Sequence, residues 1–264
     1  MIFHLVQRNN KLVGLGDVHQ KLIQMGMPPN TYSTPSNMTI ITCHDFSEKS
    51  YVENHMDYVG LDYVVLRPDD TLSKWRFTNK IKCFYDYIKS GRCETEYLLF
   101  LDAPDTVFLR HPDVVLDSFI SYDCDMLFNS VGGITKGHFS LMPDKLEPSV
   151  STTNNTELFL NSGVWMARTN NILDILESAY SYVDDSVWNG EWSDFVNLQN
   201  GWIDISYKDT WFPEFPKGIT CDQSIFRWIY PDFYPRMKID TEFKFAIRDQ
   251  KEMHRWFFDF LLDT

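Results

Sequence analysis

The run Tyr97-Leu-Leu-Phe-Leu101, followed directly by Asp102-Ala-Pro-Asp105, constrains the fold of this chain more than any other segment. Five consecutive apolar residues are typical of a strand that is buried on both faces at the centre of a parallel sheet. In open α/β sheets, ligands collect outside the carboxyl ends of such strands. We therefore expect Asp102 and Asp105 to lie at a ligand-binding edge.

Strand and helix signals alternate through the rest of the chain. Short apolar or β-branched runs predict further strands at residues 38–43, 62–66 and 125–128. Apolar spacings of three and four, together with start and stop signals, predict helices at residues 18–25, 73–89, 113–122, 172–183 and 224–230. This order predicts an α/β fold with a mixed, mostly parallel sheet flanked by helices.

The same pattern predicts one domain. Residues 1–37 carry glycine and proline without a sustained period and predict an irregular lead-in, whereas residues 38–247 contain no boundary signal. Residues 130–156 form a long polar stretch, which marks a candidate functional loop. Residues 248–264 predict a C-terminal helix packed on the same domain.

Charge argues against one class of partner. The chain has 24 Lys and Arg against 37 Asp and Glu, a formal net charge of −13, whereas nucleic-acid binding needs clustered positive charge. No apolar run approaches the roughly 20 residues of a membrane-spanning helix, and residues 1–10 do not follow the pattern of a signal peptide. We therefore expect no nucleic-acid partner, no membrane span and a cytoplasmic location.

Five scattered cysteines without a C-x-x-C pair predict mostly reduced thiols.

Asp102 and Asp105 supply two carboxylates on one short turn. Carboxylate oxygens are hard ligands that suit Mg²⁺ or Mn²⁺, and such an ion binds a diphosphate in turn. The alternative is a solvated loop shaped by Pro104, because Asp-x-x-Asp is a common pattern. The position after a buried strand favours the metal site.

Two further polar segments lie beside apolar runs. Asn161-Ser162-Gly163 separates two such runs and predicts a turn at the sheet edge. Asp222 stands at the head of a predicted helix and is a candidate N-cap. Asp222 and Gln223, a carboxylate and an amide side by side, would also position a polar substrate.

Residues 184–216 are rich in aromatic side chains without a helical period. Exposed aromatic rings stack on the apolar faces of sugar rings, which makes this segment a candidate for acceptor binding. The alternative is a satellite core under a long loop. The tryptophans proposed for the acceptor are Trp188, Trp192, Trp202 and Trp211.

Four segments, taken in order, resemble the GT-A glycosyltransferases, above all the glycosyltransferase domain of the procollagen lysyl hydroxylases and its viral relatives. Residues 97–112 resemble the strand of that family that ends in Asp-x-x-Asp, followed by an apolar run and Pro. Asn79-Lys80 resembles the helix start whose Lys meets the nucleotide. Phe159-Leu-Asn-Ser-Gly-Val164 resembles a Leu-Asn-Ser-Gly turn, and Asp222-Gln223 resembles an Asp-Gln segment.

The resemblance implies a GT-A, Rossmann-like domain at about residues 38–247 that transfers a sugar from a nucleotide-sugar donor, with a UDP-sugar favoured and with retention. It implies that Asp102 and Asp105 bind Mn²⁺ or Mg²⁺, and that Asp222 and Gln223 lie beside the anomeric carbon as catalytic residues. The residues that would bind the nucleotide and the sugar are Thr42, Lys80, Asp102, Asn161, Ser162 and Gly163.

The chain departs from the family pattern at three points. Ala103-Pro104 replaces an aromatic residue that stacks on the base, and Val131 replaces an acidic residue. The third metal ligand of the family is a His in a His-Gly-Asn-Gly type segment, which this sequence lacks. His254 is the candidate for that position, with water as the alternative.

The sequence therefore predicts a metal-dependent glycosyltransferase whose acceptor is a glycan, a protein or a small molecule. If the chain is viral, the expected location is the host cytoplasm. Two alternatives stay open. A nucleotidyltransferase uses the same metal and diphosphate chemistry, although Cys43-His-Asp-Phe-Ser-Glu48 lacks the Gly-rich basic loop expected of one. The second alternative is a noncatalytic carbohydrate-binding protein with the same fold. Val131 in place of an acidic residue, and the missing His of the third metal position, are the features that favour it.

Overall fold

A computed structural model describes residues 2–4, 14–68, 75–132, 158–183, 198–199, 202–203 and 221–248. The helices are α1 (Leu15–Gln24), α2 (Tyr51–Val59), α3 (Thr78–Lys89), α4 (Pro112–Ser121), α5 (Leu173–Ser181) and α6 (Asp222–Phe233), with a 3₁₀ turn at Thr169–Asn171. The strands are β1 (Ile2–His4), β2 (Met38–Cys43), β3 (Val64–Leu66), β4 (Tyr97–Leu101), β5 (Thr106–Phe108), β6 (Met126–Gly132), β7 (Leu158–Arg168), β8 (Leu198–Gln199), β9 (Trp202–Ile203), β10 (Met237–Ile239) and β11 (Ala246–Arg248).

The central sheet has six strands in the order β10-β6-β7-β4-β2-β3. The pairs β10–β6, β4–β2 and β2–β3 are parallel, and β7 runs antiparallel to both of its neighbours. The predicted α/β fold with a mixed, mostly parallel sheet is confirmed. Strands β2 and β4 have the predicted bounds, because each is a short apolar run with polar residues on both sides.

Residues 161–163 lie inside β7, so the predicted turn is wrong. Along β6, the pairing passes from Trp165 directly to Asn161 and skips residues 162–164. A bulge of this kind accommodates extra residues in a strand without reversing the chain. Backbone partners on both sides of β7 outweigh the local preference of Asn-Ser-Gly for a turn.

A second, three-stranded sheet joins distant parts of the chain. β1 runs parallel to β11 and antiparallel to β5. The segment predicted as an irregular lead-in therefore contains a strand as well as helix α1. Strands of three residues are too short to carry a periodic pattern, which is why β1, β5 and β11 were not predicted. The boundaries at residues 37 and 247 stay predictions, and residues 249–264 lie outside the described part.

Helices α2 and α3 depart most from the predictions, whereas the ends of the other helices lie within three residues of the predicted ones. Helix α3 begins at Thr78 and not at residue 73, since Asn79 Oδ1 accepts a 2.5 Å hydrogen bond from the backbone N–H of Arg76 and fixes a turn before the helix. Helix α2 was not predicted, although Ser50-x-x-Glu53 carries its signal. The two residues form a capping box, in which each side chain binds the backbone N–H of the other.

The sheet has a hydrophobic core on each face, as alternation along a buried strand requires. Leu99 and Leu101 of β4 join the cluster covered by α1, α2 and α4. Leu98 and Phe100 join the cluster covered by α3, α5 and α6, where Trp165 packs 5.5 Å from the Phe100 ring. Among the described residues, no helix combines the length and the apolarity that a bilayer crossing needs.

Candidate active site

Polar side chains from four elements meet at the carboxyl end of β4. Lys80 comes from the first turn of α3, and Asp102 follows β4 directly. Asn161 lies in the bulged part of β7, and Asp222 and Gln223 open α6. The fold thus brings together residues that are far apart in the sequence. They meet at the sheet edge where the pattern of residues 97–105 predicted a ligand site.

A buried ion pair forms the centre of the site. Lys80 Nζ lies 2.7 Å from Asp102 Oδ1 and 3.9 Å from Asp222 Oδ2. Burial alone would lower the pKa of Lys80, but the charges of Asp102 and Asp222 outweigh burial and raise this pKa above its usual value. Lys80 therefore carries a full positive charge at neutral pH, although only 4% of its surface is exposed.

Asp222 does not cap α6, so its predicted N-cap role is wrong. Cys221 is the N-cap, and Asp222 is the first helical residue. Burial raises the pKa of the Asp222 carboxyl, partly offset by the charge of Lys80. Its Oδ2 atom is buried and accepts no hydrogen bond within the part of the chain that the structure describes. The Ser162 side chain and the backbone N–H of Gln223 also stabilise the carboxylate, and its Oδ2 atom lies 3.9 Å from Lys80 Nζ.

Amide side chains form a second layer beside the ion pair. Gln223 Oε1 accepts hydrogen bonds from Asn161 Nδ2 at 2.7 Å and from the backbone N–H of Ser162 at 3.3 Å. Asn161 Oδ1 accepts from the backbone N–H of Gly163 at 3.2 Å. These bonds fix the orientation of both amides and join the bulge in β7 to the start of α6.

Asn129 is a site residue that the sequence did not reveal. It is fully buried on β6, and its Nδ2 donates to Asn161 Oδ1 at 3.5 Å. Nearby, Arg227 of α6 donates to the carbonyl of Leu160 through Nε at 2.7 Å. In the sequence, the signal for these two residues is a polar side chain within a largely apolar segment. Such a side chain becomes buried with the segment, and polar groups are rarely buried without a partner.

The Asp102–Asp105 turn is held from both sides. The backbone N–H of Asp102 donates to the Gly163 carbonyl at 2.8 Å, and the Ala103 carbonyl accepts from the backbone N–H of Val52 at 3.1 Å. The pKa of Tyr51 is raised, first by burial and then by the charge of Asp105. Asp102 therefore faces α3, whereas Asp105 lies near the start of α2.

The turn supplies a partial set of metal ligands. Asp102 and Asp105 offer hard carboxylate oxygens, and Mg²⁺ is commonly held by one or two carboxylates together with substrate phosphates. Within the described ranges, no three His, Cys, Asp or Glu side chains converge on one point. By their chemistry, the carboxylates of Asp102 and Asp105 suit a divalent ion that would complete its coordination with phosphate and water. The metal roles of Asp102 and Asp105 stay predictions.

The remaining predicted site residues have different outcomes. Thr42, the last residue but one of β2, is fully buried. The charge of Lys80 acts on the thiol of the next residue, Cys43. Because successive side chains of a strand point to opposite faces, Thr42 and Cys43 lie on different faces of the sheet. His254 and three of the acceptor tryptophans, Trp188, Trp192 and Trp211, lie outside the described residues. Trp202 is described only as part of the backbone of β9.

In comparisons with known proteins, the chain has matches among solved structures only. No protein-family model matches the chain, and no curated protein does. Among solved structures, the chain is similar to a glycosyltransferase involved in the glycosylation of the major capsid of PBCV-1. The identity is 14%, the match covers 78% of this chain and 82% of the other, and the TM-score is 0.39. At these values the likeness carries no argument about activity.

Proposed function

We propose that this chain is a metal-dependent glycosyltransferase that moves a sugar, with retention, from a nucleotide-sugar donor to a glycan, protein or small-molecule acceptor. The observation that carries the proposal is the buried Lys80 held between Asp102 and Asp222 at the carboxyl end of the sheet. The amide pair of Asn161 and Gln223 adjoins it. A charged cluster at this edge, next to oriented amides, suits a ligand with both phosphate and hydroxyl groups.

The charges of the site explain why a cation is part of the proposal. Asp102 and Asp222 oppose the ammonium of Lys80, and the whole chain has a net charge of −13. An anionic diphosphate therefore needs a local positive charge, and Asp102 and Asp105 would hold Mn²⁺ or Mg²⁺ for that purpose. When bound, the ion supplies Lewis-acid stabilisation of the negative charge on the departing diphosphate.

The side chains of the chain then have separate roles. Lys80 adds its charge to the phosphate side, and Asn161, Ser162 and Gly163 line the donor sugar. Asp222 and Gln223 lie beside the anomeric carbon, where a buried carboxylate stabilises an oxocarbenium-like state. Because Gln223 Oε1 already accepts two bonds from β7, its Nε2 group is directed away from that strand. A UDP-sugar is the favoured donor.

Thermal shift with a panel of nucleotide sugars, with and without Mn²⁺, tests donor binding. We expect at least one nucleotide sugar to raise the melting temperature only when Mn²⁺ is present. Asp102→Asn and Asp105→Asn should abolish this shift, whereas Asp86→Asn, an exposed acid on α3, should keep it. A shift that needs no metal, or that survives in both site variants, would contradict the proposed metal site.

The same panel separates the two alternatives. A noncatalytic carbohydrate-binding protein would show the shift without hydrolysing or transferring any donor. A nucleotidyltransferase would release pyrophosphate from a nucleoside triphosphate and sugar phosphate. Release of a nucleoside diphosphate from a nucleotide sugar is the outcome that the glycosyltransferase proposal requires.

A further inference from the structure

Two histidines join helix α1 to helix α2. His55 of α2 is fully buried, and its Nδ1 atom lies 3.3 Å from Nε2 of His19 on α1. The His19 ring also stacks on the Tyr58 ring, with 3.6 Å between the ring centroids and an angle of 2° between the planes. These contacts lie next to Val18 and Leu22, through which α1 joins the hydrophobic core.

The backbone fixes the direction of the hydrogen bond between the two imidazole rings. Nε2 of His55 accepts a 2.9 Å hydrogen bond from the backbone N–H of Phe108, so this nitrogen carries no proton. A neutral imidazole carries its one ring proton on the other nitrogen, which is Nδ1 here. His55 is therefore the donor, and Nε2 of His19 must be unprotonated to accept.

We propose that this histidine pair is a pH-sensitive contact that releases α1 from α2 when His19 takes up a proton. Protonated His19 has a hydrogen on both ring nitrogens, so its Nε2 no longer accepts from His55. His55 does not reverse its own role, because a proton moved to its Nε2 would face the Phe108 N–H. Protonation therefore leaves a buried N–H of His55 without an acceptor, which is costly. This contact goes beyond the proposed function and does not depend on it.

His19 is the member of the pair that solvent reaches. Its ring is partly buried, whereas His55 is fully buried. Burial lowers the pKa of His19 while α1 is in place, and a released histidine has a pKa of about 6.5. The docked helix thus favours neutral His19. The contact is therefore complete above about pH 6.5 and weakens as the pH falls below that value.

The other titratable groups beside His19 keep their charge between pH 7.5 and 5. From α2, Tyr58 stacks on the ring and its hydroxyl donates to the His19 carbonyl at 3.4 Å. Strand β5, which bonds to His55, has the sequence Thr-Val-Phe and contributes no titratable side chain. On α1 itself, Asp17 and Lys21 lie two residues from His19 and have opposite charges. Of these groups, His19 is the one whose charge changes in this range.

Amide hydrogen exchange of the full chain, read by mass spectrometry of peptides, tests the release. Rates are corrected for the intrinsic effect of pH on exchange. We expect α1 to open about 30-fold more often at pH 5 than at pH 7.5, the change that a histidine gives when only the released helix binds the proton. At pH 5, α1 should exchange faster than α5. Opening of α1 that does not change with pH, or α1 that exchanges no faster than α5 at pH 5, would overturn the proposal.

Two variants identify the group that takes up the proton. His19→Gln keeps a side-chain oxygen that accepts from His55 at every pH, so α1 should stay protected at pH 5 and open about threefold more often or less. His111→Gln removes a histidine that contacts Ser33 and Asp113 instead, and should keep the pH dependence of the wild type. His19→Gln with the full pH dependence would overturn the role of His19.

Nitrogen-15 NMR of the histidine rings in the wild type tests the direction of the hydrogen bond and needs no folded variant. At pH 7.5 we expect His55 with its proton on Nδ1 and His19 with an unprotonated Nε2. On acidification, the His55 signals should change together with the titration of His19. A His55 ring with its proton on Nε2, or His55 signals that ignore the titration of His19, would overturn the proposal, whatever the variants show.

Discussion

Lys80 is the residue on which the site depends most. Its ammonium lies between two carboxylates, and its side chain is 4% exposed. Lys80→Met leaves both carboxylates without this cation, so we expect a loss of about 3–5 kcal/mol in the free energy of unfolding. Lys82→Met removes a more exposed pair with Asp86 and should cost about 0.5 kcal/mol or less. Urea unfolding at pH 7 measures both, and equal small losses would contradict a buried ion pair.

His55 predicts how stability depends on pH. Burial, and then the charge of His19, lowers the pKa of His55 to about 3, and its Nε2 accepts a 2.9 Å hydrogen bond from the backbone N–H of Phe108. The folded state therefore resists protonation. Stability from this group is complete above about pH 6.5 and falls by about 1.4 kcal/mol per pH unit as the pH decreases toward 3.

Comparison of the wild type with His55→Asn isolates this effect. Urea unfolding between pH 6.5 and 4.5 should show a steep loss of stability on acidification in the wild type and a shallower loss in the variant. The variant starts from a lower stability because it loses hydrogen bonds, so the slopes are compared and not the absolute values. Parallel curves would contradict the assignment.

Single residues show where sequence reasoning reaches its limit. Asp102 was predicted because it follows an apolar strand within an Asp-x-x-Asp turn, and Lys80 was predicted from the resemblance of Asn79-Lys80 to a family motif. Asn129 was not, because its partner Asn161 lies 32 residues away and only the fold brings the two together.

Among the elements, α2 depends on its N-terminal cap. The Ser50 side chain accepts from the backbone N–H of Glu53, and Glu53 Oε2 accepts from the backbone N–H of Ser50 and lies 2.8 Å from His44 Nε2. Ser50→Ala should lower the free energy of unfolding by about 1 kcal/mol.

Ser118→Ala is the matched control for the capping box. Ser118 is partly buried inside α4 and donates a solvent-exposed hydrogen bond to the Val114 carbonyl, and alanine is the better helix former. Thermal unfolding of both variants should show a loss only for Ser50→Ala. Equal melting temperatures would mean that the packing of α2, and not its cap, determines its stability.

Elements were predictable where local pattern and tertiary context agree. Strands β2 and β4 satisfy both, since each is apolar and buried along its length. β7 contains a polar tripeptide that prefers a turn in isolation, but Asn161 pairs with Asn129 of β6 and the Gly163 carbonyl accepts from the backbone N–H of Asp102. Its bulge is also what places Asn161 beside Gln223, so the element that was predicted wrongly is one that builds the site.

At the scale of the whole molecule, the fold concentrates opposed charges at one edge of an acidic protein. The net charge of −13 gives the protein an overall field that disfavours anionic ligands. Lys80 offsets that charge locally, but the two carboxylates within 4 Å of it, Asp102 and Asp222, exceed it. This imbalance is the reason that the proposed function requires a divalent ion, and it makes metal dependence the property that best discriminates the proposal from its alternatives.

The most direct measurement is the initial rate at which a nucleoside diphosphate is released from a panel of nucleotide sugars. We expect release that requires Mn²⁺ or Mg²⁺ for at least one donor, with a rate about 100-fold or more lower in Asp102→Asn, because removing one stabiliser of developing charge typically costs that much. Asp86→Asn should retain the wild-type rate. No release from any donor with metal present, or equal rates in the wild type and Asp102→Asn, would contradict the account.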